Sequence, residues 1–159
     1  LYNYPPKVGV EVGLDVLDAF VDNKRVLGIK ESSGNLLRVM DIRQKYGTRY
    51  QVTNGSDDQT LDFYLWGATS WICGPANCMA KACVDLVKTI ESGNWIAARD
   101  KAMAIYGAMK SLESGKFVQK VKYGCELAGT PVGLARRPLL ELSREEKADF
   151  RKALEPVLG

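Results

Sequence analysis

The sequence predicts an α/β fold in which a parallel sheet is followed by a purely helical segment. Short apolar runs at 26–30, 50–54 and 70–73 have the length and composition of buried strands. Amphipathic helical segments alternate with these runs, and only helical periodicity follows them. Strands separated by helices are typical of βαβ units, whose strands pair in parallel.

The first half of the chain repeats a helix and a strand in turn. One helix is predicted before the strand at 26–30, a second at 35–46 that is closed by Gly47, and a third before the strand at 70–73. The helical periodicity is carried by Leu14, Leu17, Phe20, Val21, Leu36, Val39, Met40, Ile42, Tyr46, Leu61, Leu65 and Trp66.

The second half of the chain is predicted to be helical throughout. Periodic apolar residues predict helices at roughly 79–92, 95–113, 116–128 and 143–155. Ser143 is followed three residues later by Glu146, which is the pattern of a capping box at the start of the last helix.

Composition restricts the classes of function. The 159 residues carry 22 basic and 19 acidic side chains, a net charge of +3, without a run of Lys or Arg. We therefore expect the charges to lie on solvated helix faces and expect no nucleic-acid partner. No apolar stretch of membrane-spanning length is present, so we expect no membrane partner. Length and composition agree with a cytoplasmic protein.

The cysteines do not predict a metal site. With no histidine in the chain, Cys/His zinc sites and histidine-dependent catalytic triads are excluded. The four cysteines, Cys73, Cys78, Cys83 and Cys125, have no zinc-binding spacing. We expect them to be small apolar residues in a reducing compartment, and we predict no metal.

Lys30 is the candidate nucleophile. It closes the apolar run at 26–30 and is followed by the polar segment Glu31-Ser32-Ser33-Gly34. A lysine at the rim of a core is partly desolvated, which favours the neutral amine that can condense with a ketone as a Schiff base. The alternative is a solvated Lys-Glu pair of the kind that ends many strands.

Five segments of the chain resemble motifs of one family. They are Tyr2-Asn3-Tyr4-Pro5, Gly28-Ile29-Lys30-Glu31, Asn54-Gly55-Ser56-Asp57-Asp58, Gly67-Ala68-Thr69-Ser70-Trp71-Ile72-Cys73-Gly74-Pro75-Ala76-Asn77 and Arg136-Arg137-Pro138-Leu139. The fourth is similar to the pattern G-A-x-G-x-I-S-x-x-A-N. In this order they resemble the pyruvate-dependent class I aldolases, the superfamily of dihydrodipicolinate synthase, N-acetylneuraminate lyase and the 2-keto-3-deoxy sugar-acid aldolases and dehydratases.

The resemblance implies the C-terminal half of a TIM (β/α)₈ barrel followed by a C-terminal helical domain. Residues 1–78 would hold the end of strand five and strands six to eight. Residues 79–159 would form the last barrel helix and the helical domain, which helps the family assemble as tetramers. The implied N-terminal half carries the loop that holds the pyruvate carboxylate. We therefore expect the chain alone to be inactive, with its N-terminal half or another copy of the chain as a partner.

The resemblance also implies catalytic roles. Lys30 would form an imine with pyruvate or another 2-keto acid, and this covalent imine replaces any cofactor. Tyr2 would be the phenol that relays protons; the alternative is an aromatic side chain that fills the barrel mouth. The implied reaction is a lyase or synthase reaction that condenses or cleaves pyruvate with an aldehyde.

Further positions would bind the substrate. Gly55, Asp57 and Asp58 would contact hydroxyl groups of the aldehyde portion, although either aspartate could instead cap the helix that begins near Gln59. Ile72 and Cys73 would line the pyruvate pocket. Lys7 stands where dihydrodipicolinate synthases typically have an arginine for the second substrate's carboxylate.

Lysine at position 7 does not decide between a synthase reaction and an aldolase or dehydratase reaction. Lysine keeps the positive charge of arginine but lacks its bidentate fork. A 2-keto-3-deoxy sugar-acid or N-acetylneuraminate-type aldolase or dehydratase therefore remains an alternative to the synthase. A catalytically incomplete half barrel is the alternative from a different class.

Overall fold

The protein divides into two compact units. A computed structural model describes Leu1–Leu158, with a first unit at Leu1–Ile72 and a second unit that begins at Cys73. The family resemblance implies a domain boundary after Cys78, between the partial barrel and the helical domain. That boundary is defined differently from the boundary between the compact units, and it stays a prediction.

The first unit is built on a parallel sheet. Its strands are β1 (Tyr2–Asn3), β2 (Gly28–Glu31), β3 (Gln51–Asn54) and β4 (Ser70–Trp71). They lie in the order β1-β2-β3-β4, and each pair of neighbours is parallel. The three apolar runs are thereby confirmed as strands, although each strand is shorter than its run. The α/β class with a parallel sheet is confirmed as well.

Short helices connect the strands of the first unit. They are α1 (Pro5–Val8), α2 (Leu14–Ala19), α3 (Leu37–Tyr46) and α4 (Thr60–Leu65), with a 3₁₀ turn at Asp57–Gln59. The sequence predicts α2, α3 and α4 but not the single turn of α1. The end of α3 at Gly47 is confirmed. Gly47 has a φ of 56°, and its N–H donates to the Arg43 carbonyl at 2.9 Å.

The core of the first unit lies on one face of the sheet. Ile29 and Val52 are register partners on β2 and β3, and both are buried against the helices. The other buried residues of this core are Leu17, Val39, Ile42, Tyr50, Phe63 and Ala68. Because successive side chains of a strand point to opposite faces, Lys30 and Thr53 point away from this core.

The second unit is helical. It contains α5 (Ala76–Glu91), α6 (Trp95–Glu113), α7 (Phe117–Leu127), α8 (Arg144–Leu154) and a 3₁₀ turn at Glu155–Val157. The predicted helices are confirmed to within a few residues. The largest difference is the start of α5, where the backbone leaves helical geometry at Met79 (φ −141°, ψ 48°). Among the described helices, none combines the length and apolarity that crossing a membrane requires.

Three cysteines belong to the core of the second unit. Cys78, Cys83 and Cys125 are buried, and all four cysteines are free thiols. Burial, together with the neighbouring Cys125, raises the pKa of the Cys78 thiol to about 12. A thiol with such a pKa is an inert packing group at neutral pH. Within Leu1–Leu158, no three carboxylates or thiols converge as metal ligands.

The capping box at the start of α8 is confirmed. The Glu146 N–H donates to Ser143 Oγ at 3.1 Å, and the Ser143 N–H donates to Glu146 Oε2 at 2.7 Å. Lys116 Nζ lies 2.6 Å from Glu146 Oε1. The Lys116 ammonium and then the Ser143 N–H hold the pKa of Glu146 below its ordinary value of 4.5.

We expect this cap to weaken in acid. Since the folded-state pKa of Glu146 is depressed, its contribution is complete above pH 4.5 and disappears as the pH falls through the folded-state pKa. Melting temperatures of the unaltered chain and Glu146→Gln should therefore differ at neutral pH and converge in acid. A difference that persists at low pH would show that the carboxylate's charge does not stabilise the cap.

Candidate active site

The structure brings Lys30 and Tyr2 into contact. They are register partners on β2 and β1, so both side chains leave the same face of the sheet. Lys30 Nζ donates a hydrogen bond to the Tyr2 hydroxyl at 3.4 Å and lies 4.4 Å from the centroid of its ring. Tyr2 is 49% exposed, so its phenol is accessible to a ligand rather than buried as packing.

Glu31 follows Lys30 in the chain but points to the opposite face. Its carboxylate is fully buried and accepts hydrogen bonds from the Asn3 side-chain amide at 2.9 and 3.0 Å. Arg38 Nε donates to Glu31 Oε2 at 2.8 Å, and the Ser33 N–H donates to Oε1 at 2.7 Å. Glu31 therefore ties β1, β2 and α3 together, and it is not a proton acceptor for Lys30.

We expect Glu31→Ala to destabilise the fold. It leaves the Asn3 amide and Arg38 Nε without their acceptor, while Arg38 Nη1 keeps its ion pair with Glu11, so the loss should be about 1–3 kcal/mol. Chemical denaturation should measure the loss. Glu91→Ala is the matched control because Glu91 is exposed. Equal free energies of unfolding in the two variants would remove the structural role from Glu31.

Gly55 permits a close approach at the end of β3. Its N–H donates to the Glu31 carbonyl at 2.9 Å. A Cβ at this position would lie 2.7 Å from Lys30 Cε and would overlap Ser32 Oγ. Only glycine fits without displacing the Lys30 side chain, so the predicted site residue Gly55 does lie against Lys30.

Ser32 is a site residue that the sequence reasoning missed. Its hydroxyl is buried and, among the described residues, has no hydrogen-bond partner. It directly follows β2, and its Oγ and Lys30 Cε both lie close to Gly55. The two-residue spacing from Lys30 is the sequence signal that could have indicated it. A buried hydroxyl without a partner is costly, so a ligand atom or water that reaches it would be stabilised.

Asp57 and Asp58 differ in their environment. Asp57 is buried, and its Oδ1 accepts a hydrogen bond from Trp71 Nε1 at 2.7 Å. Asp58 is exposed. Neither caps a helix, because the capping residues of the 3₁₀ turn and of α4 are Ser56 and Gln59. Substrate contact by either aspartate stays a prediction.

The remaining predicted residues lie on the surface or at the unit boundary. Lys7 is exposed in the last turn of α1. Ile72 directly follows β4 and is 59% exposed. Cys73 is half-buried and begins the second unit. Their roles as substrate-binding residues stay predictions.

The arrangement has the parts of a carbonyl-condensing site. An amine, a phenol and a buried hydroxyl meet beside a glycine that leaves room for them. An amine can attack a carbonyl carbon, and a phenol within hydrogen-bond reach can exchange the protons that this attack requires.

The sequence was also compared with those of known protein families. The model of the dihydrodipicolinate synthetase family matches residues 1–157. The chain belongs to this family. One relative is a 4-hydroxy-tetrahydrodipicolinate synthase of Methanothrix thermoacetophila, 31% identical over 97% of this chain and 52% of that protein. Another, from Halalkalibacterium halodurans, is 28% identical over 98% of this chain and 53% of that protein.

Solved structures of the family share the fold. The 4-hydroxy-tetrahydrodipicolinate synthase of Methylacidiphilum fumariolicum matches with a TM-score of 0.92 and 25% identity, over 99% of this chain and 53% of that chain. The dihydrodipicolinate synthase of Aquifex aeolicus matches with a TM-score of 0.90 and 26% identity, over 97% of this chain and 53% of that chain. The chain spans about half the length of the family members it matches.

Proposed function

We propose that this chain carries the Schiff-base site of a pyruvate-dependent lyase or synthase of the dihydrodipicolinate synthetase family. The contact between Lys30 Nζ and the Tyr2 hydroxyl carries the proposal. In the proposed step the Lys30 nitrogen bonds to the keto carbon of pyruvate, and the keto oxygen leaves as water. No metal or organic cofactor is required, because the imine itself withdraws electrons from the substrate.

Tyr2 would move the protons of this reaction. Attack by a neutral amine places a proton on nitrogen that must reach the departing oxygen, and the phenol contacts that nitrogen. Loss of a C3 proton from the imine then gives an enamine, the carbon nucleophile that adds to an aldehyde. Cleavage of an aldol product runs the same steps in reverse.

The residues of the site indicate the identity of the second substrate less clearly than that of pyruvate. Lys7 lacks the bidentate fork of arginine, which favours a 2-keto-3-deoxy sugar-acid or N-acetylneuraminate-type aldolase or dehydratase as the second candidate. A panel of aldehydes and 2-keto-3-deoxy acids, assayed by release or consumption of pyruvate, separates the candidates.

A complete enzyme would require more chain than these residues. We assign β1–β4 to the end of strand five and to strands six to eight of a (β/α)₈ barrel, followed by the C-terminal helical domain. In the described sheet β1 and β4 each have one neighbour, so both outer edges are open to pairing. The N-terminal half, or another copy of this chain, would close the barrel, and the helical domain would assist tetramer assembly.

We expect this chain to associate when it is purified alone. Open strand edges and the uncovered sheet face should drive pairing, which light scattering measures as a mass above that of one chain. Co-expression with an N-terminal half from a family member should give a complex with higher lyase activity. A monomer with a cooperative melt would contradict the proposed need for a partner. The free thiols favour a cytoplasmic location.

Borohydride trapping tests the proposed function directly. Borohydride reduces an imine to a stable secondary amine, so pyruvate should become covalently attached to the peptide that contains Lys30. Mass spectrometry after proteolysis identifies the modified lysine. Attachment spread evenly over the exposed lysines, without preference for Lys30, would contradict the proposal.

A further inference from the structure

A pair of hydroxyl groups lies next to Lys30 on the side away from Tyr2. Thr53 is the register partner of Lys30 on β3, and Ser70 is the register partner of Thr53 on β4. Thr53 Oγ1 and Ser70 Oγ are 2.7 Å apart, which is a hydrogen bond between them. Tyr2, Lys30, Thr53 and Ser70 therefore form one row across the sheet, with their side chains on one face.

The Thr53 and Ser70 hydroxyls can form further hydrogen bonds beyond the one between them. Each hydroxyl offers one proton and two lone pairs, and their mutual bond uses one proton and one lone pair. Within Leu1–Leu158 neither hydroxyl has another hydrogen-bond partner. Both side chains are only half-buried, so the remaining proton and lone pairs are accessible from the face that carries Lys30. Ser70 also falls on the second glycine of the pattern G-A-x-G-x-I-S-x-x-A-N.

We propose that the Thr53–Ser70 pair positions the Lys30 amine for attack on the keto acid. Neighbouring strands are about 4.8 Å apart, and the flexible lysine stem can carry Nζ between the two flanks. A neutral amine has two N–H bonds and one lone pair. If Tyr2 accepts one N–H and the hydroxyl pair accepts the other, the lone pair is directed at the keto carbon. The pair takes up no net proton in this role. The inference rests on the proposed function, because it assumes that Lys30 forms the imine.

A structural role makes a different prediction. Hydrogen bonds between Thr and Ser on adjacent strands stabilise sheets, so removal of a hydroxyl could lower the melting temperature without any effect on Lys30. The distinguishing readout is the rate at which borohydride traps pyruvate on Lys30, measured across pH beside the melting temperature.

The experiment compares five variants of the full chain with the unaltered chain. Thr53→Val removes the hydroxyl at similar volume and should slow trapping about fivefold, the worth of one hydrogen bond. Thr53→Ser keeps the hydroxyl and should restore the rate. Ser70→Ala should also slow trapping, and the Thr53→Val, Ser70→Ala double variant should be no slower than Thr53→Val because the hydroxyls act as a unit. Thr89→Val is the control, since Thr89 Oγ1 bonds the Asp85 carbonyl in the second unit.

Each outcome bears on the inference. Slower trapping in Thr53→Val, with recovery in Thr53→Ser and no change in Thr89→Val, supports it. Equal trapping rates in the unaltered chain, Thr53→Val and Ser70→Ala overturn it while leaving the proposed function intact, whatever happens to the melting temperature. If Thr53→Val does not fold, Ser70→Ala and Thr53→Ser decide. Absence of trapping on Lys30 in the unaltered chain, both alone and co-expressed with an N-terminal half from a family member, overturns the proposed function and this inference together.

Discussion

Replacing Lys30 with alanine should abolish the attachment of pyruvate by borohydride. The imine needs a primary amine at this point of the sheet, and alanine removes the only nitrogen of the side chain. The fold should survive, because the hydrogen bond and the cation–π contact of the Lys30 ammonium are both with Tyr2, which is itself half exposed. Mass spectrometry of the 159-residue chain after reduction measures the loss, and circular dichroism checks the fold.

Two further variants separate chemistry from charge. Lys30→Arg retains the positive charge, but its guanidinium is not nucleophilic, so trapping should again be abolished. Lys24→Ala removes an exposed lysine from the same unit and should trap pyruvate like the unaltered chain. Undiminished trapping in Lys30→Ala would place the reactive amine on another lysine and would end the proposed role of Lys30.

The strands and most helices follow from local pattern. The apolar runs mark β2 and β3 because these strands bury Ile29 and Val52, whereas both residues of β4 are only half-buried. Their ends are less predictable, since Leu27 is apolar yet 67% exposed and lies before the first paired residue of β2. The residues of α1 show no apolar periodicity, so the sequence does not predict this helical turn. The apolar periodicity also does not indicate the departure from helical geometry at Met79.

The site is only partly predictable for the same physical reason. Lys30 and Tyr2 end neighbouring parallel strands, so their contact follows from topology once the strands are recognised. The burial of Glu31 depends on Arg38 from α3 and Asn3 from β1, and no local pattern links these three residues. Ser32 Oγ has no hydrogen-bond partner in the described part of the chain and lies next to Gly55 at the end of β3, and neither fact is visible in the local sequence. Networks formed across elements require the folded structure.

Replacing Tyr2 with phenylalanine should keep the sheet and slow the chemistry. The ring keeps its place beside Lys30, 4.4 Å from Nζ to the centroid, while the hydroxyl that contacts Nζ is lost. A positioned acid–base group contributes a factor of about 10²–10⁴. We therefore expect turnover in the assembled enzyme, and exchange of the pyruvate C3 protons with deuterium, to slow by about that factor.

Controls distinguish proton transfer from packing. Tyr106→Phe removes a phenol of similar exposure, 45% against 49%, in the second unit, and it should leave both rates unchanged. Tyr2→Phe should melt at nearly the same temperature as the unaltered chain, because a half-exposed hydroxyl contributes little to stability. If the exchange rate is unchanged in Tyr2→Phe, the phenol does not carry the proton. A lower melting temperature at an unchanged rate would assign Tyr2 to packing at the end of the sheet.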